Sequence, residues 1–183
     1  VRFFMKKKAS EYKKIIPADR YIPPELFNKI QKSIPIVCVD LVFLRKGEGT
    51  DTEILLFKRR IYPEIGKWCI IGGRLIKNER LAEGINRQIK RELGAGAKII
   101  SPWNPVNPIG IFDDPKADPQ KHAVTLVYPL LVKKGKYNEF GPEFSGIKWF
   151  SIKRMPKKLA FIHSKEISHT LKVLKANHKV PFK

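Results

Sequence analysis

The chain has 183 residues, and its composition, 43% apolar and 30% charged, is that of one globular domain with its own core. No apolar run approaches the roughly 20 residues that span a bilayer, and the N-terminus carries no signal-peptide core, so the sequence predicts a cytoplasmic protein rather than a membrane or secreted one. The 37 Lys and Arg residues outnumber the 17 Asp and Glu residues, and the net charge of +20 indicates an anionic partner, either a nucleotide or a nucleic acid.

The first half of the chain predicts a basic extension followed by a helix and a hairpin. Residues 1–24 are expected to form the extension, and residues 25–183 are expected to form one domain. The segment PPELFNKIQKS begins with a proline pair and has apolar residues at helical spacing, which predicts a short helix. The β-branched run IPIVCVDLVFL and the segment EILLFKRR are predicted strands, joined as a hairpin through the turn KGEGTDT.

The second half of the chain predicts shorter strands and two longer helices. GKWCIIGG is expected to form one short strand that ends on its glycines. The apolar positions 81, 85, 89 and 93 lie four apart, which places them on one face of a helix from Glu79 to Leu93. HAVTLVYPLLV and IKWFSI are further strands, and SKEISHTLKVLKAN is a closing helix with Ser164 as its N-cap. Strands in the middle with helices around them predict an α/β (α+β) fold, a mixed sheet sandwiched between helices.

The two cysteines, Cys38 and Cys69, both lie in apolar, strand-like runs. The sequence has no CxxC motif or Cys/His cluster that would indicate a metal site. Buried free thiols in a reducing compartment are therefore predicted for both.

The stretch that carries chemistry begins at two glycines and continues into the predicted helix. Gly73 is followed by Glu79 after five residues and by Arg87 after a further seven. Positions 88, 91 and 92 share one helix face, because residues three and four apart are neighbours there. Three carboxylates on such a face would hold a hard divalent cation through oxygen ligands. Here only Glu92 is a carboxylate, and Gln88 and Arg91 occupy the other two positions.

This spacing resembles the box of the Nudix hydrolase superfamily, with departures at Gln88 and Arg91. Within that superfamily it is most similar to the GDP-mannose mannosyl hydrolase branch, which also keeps only the last of the helix carboxylates. The likeness extends from about Pro24 to Trp149, well outside the box. The resemblance implies a homodimer that hydrolyses a nucleoside diphosphate sugar such as GDP-mannose at the sugar carbon, releasing the sugar and the nucleoside diphosphate.

The resemblance also implies which residues form the site. A Mg²⁺ ion, or Mn²⁺ in its place, would be held by Glu92, Glu143 and the backbone carbonyl of Gly72. The substrate would be bound by Asp40, Arg59 and Arg74, and the catalytic arginines that serve the diphosphate leaving group would be Arg59, Arg74 and Arg87. Cations suit that task because a departing diphosphate is negatively charged, and a guanidinium can grip it with two parallel hydrogen bonds.

Two of these arginines also have plainer explanations. Arg87 lies four residues after Glu83, so it could form an ordinary ion pair along the helix. Arg59 could be no more than the exposed end of a strand. Neither explanation needs a ligand.

Phe144 marks a further departure from the branch that the chain resembles. There a histidine follows the loop metal ligand and acts as general base, whereas this loop reads GPEFSGIKWF and has Phe144 in that place. A phenyl ring cannot take a proton, so another group must activate water if the reaction is the same. The alternatives are His122, Asp113, Asp114 and Glu143. The glycines and the proline around Phe144 predict that it lies on a loop.

A second segment resembles a different branch of the same superfamily. GIFDDPKADPQKHAVTLVY is similar to a segment of the ADP-ribose pyrophosphatases, which split a nucleoside diphosphate sugar at phosphorus rather than at carbon. That reaction needs more helix carboxylates than this chain has, and the charge of Arg91 opposes a metal ion. The sequence therefore places this reaction second.

The basic surface supports a third alternative, a catalytically degenerate Nudix domain that binds a nucleotide or RNA. The basic residues cluster in four places: Lys6–Lys8, Lys13–Lys14, Lys133–Lys136 and Lys153–Lys158. A solvated lysine-rich surface would explain the same clusters without a partner. Nucleic-acid grooves interleave aromatic residues with basic ones, and these clusters contain few aromatic residues, which favours the enzyme.

Overall fold

The computed structural model describes residues 18–49, 51–94, 107–133 and 140–176. Three α-helices and seven β-strands lie in these ranges, together with short 3-10 helices at Ala18–Arg20 and Ile152–Arg154. In chain order the elements are α1 (Pro24–Ser33), β1 (Ile36–Lys46), β2 (Thr52–Arg59), β3 (Trp68–Cys69), β4 (Ile71–Arg74), α2 (Leu81–Leu93), β5 (Gly110–Phe112), β6 (Ala123–Leu131), β7 (Phe144–Ser151) and α3 (His163–Ala176).

One mixed sheet organises these elements around β1. Its main path is β3-β2-β1-β6-β5, and β7 pairs with β2. β1 runs parallel to β6, from the pair Ile36–Ala123 to the pair Leu44–Leu131, and the other pairings are antiparallel. On its other edge β1 pairs first with β4, opposite residues 38–41, and then with β2, opposite residues 44–46. Because β1 changes partners, β4 and β2 occupy different stretches of the same edge.

Apolar side chains pack on both faces of this sheet. On one face α2 contributes Ile85, Ile89 and Leu93 to the core, and on the other face α3 contributes Ile167 and Leu174. Positions 39, 41 and 43 of β1 face α2, whereas positions 42 and 44 face α3, as the alternation of a strand requires. A strand buried on both sides is a continuous apolar run in the sequence. The predicted α/β fold, a mixed sheet between helices, is confirmed.

The predicted first helix and the hairpin of β1 and β2 are confirmed, but several other elements differ, and the helix predicted from Glu79 begins at Leu81. GKWCIIGG forms two strands rather than one, because the chain breaks at Ile70 and then pairs with β1 instead of β2. The closing helix begins at His163, so Ser164 lies inside its first turn and is not the N-cap. β5 has only three residues, too few for a periodic pattern to predict.

Phe144 does not lie on a loop, and that prediction was wrong. It begins β7, its side chain is only 4% exposed, and its ring centre lies 5.1 Å from that of Phe57 in the core beneath α2. The glycine and the proline that suggested a loop, Gly141 and Pro142, belong to the turn before the strand. The pairing of β7 with β2 continues past Gly146 to Phe144.

Both cysteines are free and buried, as predicted. In the part of the chain that the structure describes, no helix combines the length and the apolar character needed to cross a membrane. Most of the predicted basic extension, residues 1–17, lies outside the described ranges, and so do Lys134 and Lys136.

Candidate active site

A cavity of about 630 Å³ is lined by residues of all three helices and of every strand except β3, with Phe144 of β7 among them. Six of the seven predicted site residues line it: Asp40, Arg59, Gly72, Arg74, Arg87 and Glu143. The seventh, Glu92, is not among the lining residues, although its neighbours on α2, Gln88 and Arg91, are. The fold thus places six of the predicted site residues around one cavity, whereas Glu92, an expected metal ligand, does not line it.

Asp40 and Gly72 meet across two paired strands. They are cross-strand partners in the ladder of β1 and β4, and a β-carbon on residue 72 would lie 1.8 Å from Oδ1 of Asp40. Any side chain at this position would displace the carboxylate, so the close approach requires glycine. The pairing of β1 with β4 therefore places an acidic group directly against the backbone of Gly72.

Arg59 and Arg74 are held at the cavity by aromatic rings. Arg59 ends β2, donates from Nε to the carbonyl of Pro63 at 2.7 Å, and carries its guanidinium 4.9 Å from the ring centre of Phe161. Arg74 ends β4, with its guanidinium 4.7 Å from the ring centre of Phe27. A ring holds a guanidinium through its flat face, whereas the N–H donors point outward in the plane. This arrangement suits an anionic ligand.

Arg87 pairs with Glu79 and not with Glu83. Its Nε and Nη2 donate to the two oxygens of Glu79 at 2.6 and 2.9 Å, and Nη2 also donates to the carbonyl of Arg74 at 2.9 Å. Burial raises the pKa of Glu79, but the hydrogen bonds from Arg87 and from a backbone N–H outweigh it, and the net shift is downward. Glu83 instead accepts the backbone N–H of Arg80 at 2.8 Å. Arg87 therefore holds the loop between β4 and α2, and with it the backbone of Arg74.

Arg91 lies where the resemblance predicts a metal ion. Its Nε donates to Oε1 of Glu92, and its Nη2 lies 3.4 Å from the carbonyl oxygen of Gly72. The other carboxylate oxygen of Glu92 accepts the N–H of Gly141 at 3.1 Å, and a β-carbon on residue 141 would lie 2.1 Å from that oxygen. The guanidinium therefore contacts two of the three groups that were expected to hold the ion.

The residues present do not fit a divalent ion between Glu92 and Gly72. Both oxygens of Glu92 have partners within the protein, and its side chain is fully buried. Burial raises the pKa of Glu92, although the neighbouring Arg91 opposes the shift. Gln88 offers one buried, unpartnered oxygen, but an amide brings no charge to offset Arg91. A guanidinium keeps its proton and repels a second cation at short range.

A second group of titratable side chains, from β1 and α3, also lines the cavity. Nε2 of His163 lies 3.6 Å from Oδ2 of Asp40 and 3.9 Å from Oε2 of Glu166, and the two carboxyl groups are hydrogen-bonded to each other. Burial raises the pKa of Asp40 to about 7. Burial, with the charge of Asp40, raises the pKa of Glu166 to about 10. At neutral pH the carboxyl group of Glu166 is therefore protonated, and its O–H donates a hydrogen bond to Asp40.

This cluster is spaced like a cation site, with its three ligand atoms within 4.8 Å of one another, but the tautomer of His163 argues against that role. Nδ1 of His163 accepts the backbone N–H of Ile70 at 3.3 Å, so the ring proton lies on Nε2, the nitrogen that faces the carboxyl groups. Burial lowers the pKa of His163 to about 3, which keeps the ring neutral. A protonated Nε2 donates hydrogen bonds and cannot bind a metal ion.

Reasoning from the sequence missed His163 and Glu166. Both lie on the buried face of α3, together with Ile167, Thr170 and Leu174. A charged residue on the apolar face of an amphipathic helix is a usable signal, because a buried charge needs a partner. That signal does not reveal that the partner is Asp40 on β1.

Of the four residues considered as general base, only Glu143 lines the cavity. His122 directs Nε2 to the carbonyl oxygen of Asp113 at 3.0 Å, and the side chains of Asp113 and Asp114 are exposed outside it. Proximity to the cavity therefore favours Glu143 over the other three.

Replacing Glu166 by glutamine is expected to make the stability of the protein less sensitive to alkaline pH. The folded protein holds a proton on Glu166 up to about pH 10, whereas the unfolded chain releases it near the ordinary pKa of 4.5. The contribution of Glu166 to the free energy of unfolding should therefore fall as pH rises through this window, by at most about 1.4 kcal/mol per pH unit. Urea denaturation at pH 5, 7 and 9 measures the slope, which Glu166→Gln should flatten.

The exposed Glu48 in the turn between β1 and β2 provides the control. Glu48→Gln should follow the wild-type profile. Equal slopes for Glu166→Gln and the wild type would show that the buried carboxyl pair does not share a proton in the folded protein.

A model of the NUDIX domain matches residues 35–171, which is most of the chain. The ADP-ribose pyrophosphatase of Methanocaldococcus jannaschii is 32% identical over 133 residues, which cover 73% of this chain and 71% of that protein. The low-salt glycan biosynthesis protein Agl8 of Haloferax volcanii is 35% identical over 80 residues, which cover 44% of this chain and 48% of that protein.

A solved structure shows the same fold. The Nudix domain of NrtR from Shewanella oneidensis, in complex with ADP-ribose, superposes with a TM-score of 0.64 at 21% identity, over 84% of this chain and 94% of that one. At 21% identity this superposition shows a shared fold only. The domain match and the similarity to the Methanocaldococcus protein are similarities of sequence. By both criteria, this chain is a member of the Nudix hydrolase family.

Proposed function

We propose that this protein hydrolyses a nucleoside diphosphate sugar of the ADP-ribose class by attack of water at phosphorus. The observation that carries the proposal is the cavity, where Arg59 and Arg74 stand on aromatic rings in the same space as the hydrogen-bonded carboxyl pair of Asp40 and Glu166. Two cations suit a diphosphate, and an acceptor carboxylate suits sugar hydroxyls. The name of the Methanocaldococcus relative supports this reaction ahead of the sugar-carbon reaction that the sequence placed first.

The polar residues of the cavity can then be assigned roles in this reaction. Arg59 and Arg74 grip the diphosphate and stabilise the charge that grows on it as the bridge breaks. Asp40, oriented by the proton of Glu166, accepts a hydrogen bond from a sugar hydroxyl. Glu143 takes a proton from the attacking water. The water oxygen bonds to one phosphorus, the bridging P–O bond breaks, and the products are a nucleoside monophosphate and a sugar phosphate.

Nudix hydrolases generally use a divalent metal ion such as Mg²⁺. In this chain the position of Arg91 does not fit an ion held by Glu92 and Gly72. The tasks above therefore rest on the side chains of the protein itself.

Attack at the sugar carbon, with release of free sugar from a substrate such as GDP-mannose, is the second candidate. One observation favours it: the face of α2 at positions 88, 91 and 92 carries a single carboxylate, as in the branch that releases free sugar. Expulsion of an intact diphosphate needs positive charge, which Arg59 and Arg74 would supply in this reaction too.

Hydrolysis of ADP-ribose and of GDP-mannose in ¹⁸O-labelled water distinguishes the two candidates. We expect AMP and ribose 5-phosphate from ADP-ribose, with the label in a phosphate group, where ³¹P NMR detects it. Free sugar carrying the label, together with an unlabelled nucleoside diphosphate, would establish the second candidate. Tight binding of either compound without turnover would instead indicate the degenerate binding domain.

The homodimer and the contact with nucleic acid remain predictions from the sequence. Of the basic clusters, Lys153–Lys158 lies within the described residues, at the 3-10 helix after β7 and just beyond it. A complex with RNA through phosphate contacts should weaken steeply with salt, because each contact releases counterions. Light scattering and an RNA-binding titration over a range of salt concentrations test the two predictions separately.

A further inference from the structure

The guanidinium of Arg91 occupies a position that is built by backbone and carboxylate oxygens. It bridges the carboxylate of Glu92 and the carbonyl of Gly72, two groups from different elements. The side chain of Glu92 is fully buried, and that of Arg91 is 12% exposed. Arg91 lines the cavity and Glu92 does not, so the positive group stands between the carboxylate and any ligand.

We propose that Arg91 is a tethered cation that takes the place of the divalent ion. In this arrangement the guanidinium of Arg91 lies between Glu92 and Gly72, where a metal ion was expected, and it contacts the diphosphate of the ligand. A guanidinium is permanently charged and matches phosphate oxygens in pairs, so it can supply a part of the charge that an ion would bring. The proposal rests on the proposed function only for the identity of the ligand.

The surroundings of Glu92 are consistent with a side-chain cation. The second oxygen of Glu92 accepts the N–H of Gly141 at 3.1 Å, so the carboxylate is oriented from one side by the backbone and from the other by Arg91. Loss of the guanidinium would leave a buried carboxylate without its counter-charge. A divalent ion could then fill the vacated position, because Gly72 and Glu92 would again offer oxygens to it.

The first experiment measures Mn²⁺ binding by electron paramagnetic resonance, which detects the free ion. The wild-type protein is expected to bind no Mn²⁺ below millimolar concentration at this position. Arg91→Glu restores a carboxylate there and should bind one Mn²⁺ at least about tenfold more tightly. Mn²⁺ should also raise the melting temperature of this variant and not that of the wild type, since an ion that binds only the folded state stabilises it.

Lys90 provides the matched control, because it is exposed on the same helix and has the same charge. Lys90→Glu changes the net charge equally and should leave Mn²⁺ binding at the wild-type level, whereas Arg91→Glu combined with Glu92→Gln should lose the new site. If Arg91→Glu does not fold, the neutral Arg91→Gln should still bind Mn²⁺ more tightly than the wild type. A wild-type protein that binds one Mn²⁺ below millimolar concentration, and loses it on Glu92→Gln, would overturn the proposal.

The second experiment uses ADP as a diphosphate probe, in the presence of EDTA. Arg91→Gln should weaken ADP binding by about 10–100-fold, the effect of losing a hydrogen bond between charged partners, and Lys90→Gln should leave the affinity unchanged. Equal affinities for Arg91→Gln and the wild type would refute the role at the diphosphate. If the protein hydrolyses no nucleotide sugar but Arg91→Glu still gains Mn²⁺ binding, the proposed function is refuted and the role of Arg91 is supported. If the wild-type protein hydrolyses nucleotide sugars with Mn²⁺ bound at Glu92, the proposed function is supported and the role of Arg91 is refuted.

Discussion

Truncation of Phe144 to alanine is expected to lower the free energy of unfolding by about 3–5 kcal/mol, the usual cost of removing a buried phenyl ring. Phe144 is 4% exposed and packs against the ring of Phe57 at 5.1 Å, among the residues that join β2, β7 and α2 in one core. The surrounding strands cannot close over the space, because both are fixed in the ladder of β2 and β7. Urea denaturation monitored by circular dichroism measures the loss.

Phe140 offers a control of the same residue type, four residues earlier and 39% exposed. Phe140→Ala should change the free energy of unfolding by no more than about 0.5–1 kcal/mol. Similar losses for the two variants would mean that Phe144 is not a core residue. Phe144 also lines the cavity, so Phe144→His would place an imidazole between the cavity and the apolar core, where it should lower the stability of the fold.

Replacement of Arg74 by methionine is expected to lower kcat/KM for the nucleotide sugar by about 10²–10³-fold, the usual cost of removing one group that stabilises developing negative charge. Its guanidinium lies over the ring of Phe27 at the cavity, whereas its carbonyl oxygen holds Arg87. Methionine keeps the apolar stem and the backbone, so the loop before α2 should stay in place. Steady-state kinetics and a melting curve test both parts of this expectation.

Arg154 allows the loss of charge to be separated from the loss of contact. It is exposed on the 3-10 helix Ile152–Arg154, away from the residues that line the cavity. Arg154→Met removes the same charge from a protein of net charge +20 and should leave kcat/KM within about twofold. An equal fall for both variants would assign the effect to long-range attraction of the substrate, and Arg74 would lose its proposed place at the diphosphate.

The sequence by itself determined the fold and the family, and it predicted where the candidate site lies, because these depend largely on local signals. The continuous apolar run of β1 and the four-residue spacing in α2 are the local signals of one buried strand and one helix. The spacing from Gly73 to Glu92 identified the family, and six of the seven predicted site residues do line one cavity.

Only the tertiary structure decided what these residues contact. The break at Ile70 arises because β3 pairs with β2 whereas β4 pairs with β1. The burial of Phe144 depends on how far β7 extends along β2. Asp40 and Glu166 lie near opposite ends of the domain in sequence, so the proton they share arises only where β1 and α3 pack together. Arg91 is adjacent to Glu92 in any conformation, but its contact with the carbonyl of Gly72 requires α2 to pack against β4. The sequence shows only that a carboxylate is missing at position 91. The contact with Gly72 shows that the positive charge of Arg91 lies at the candidate site.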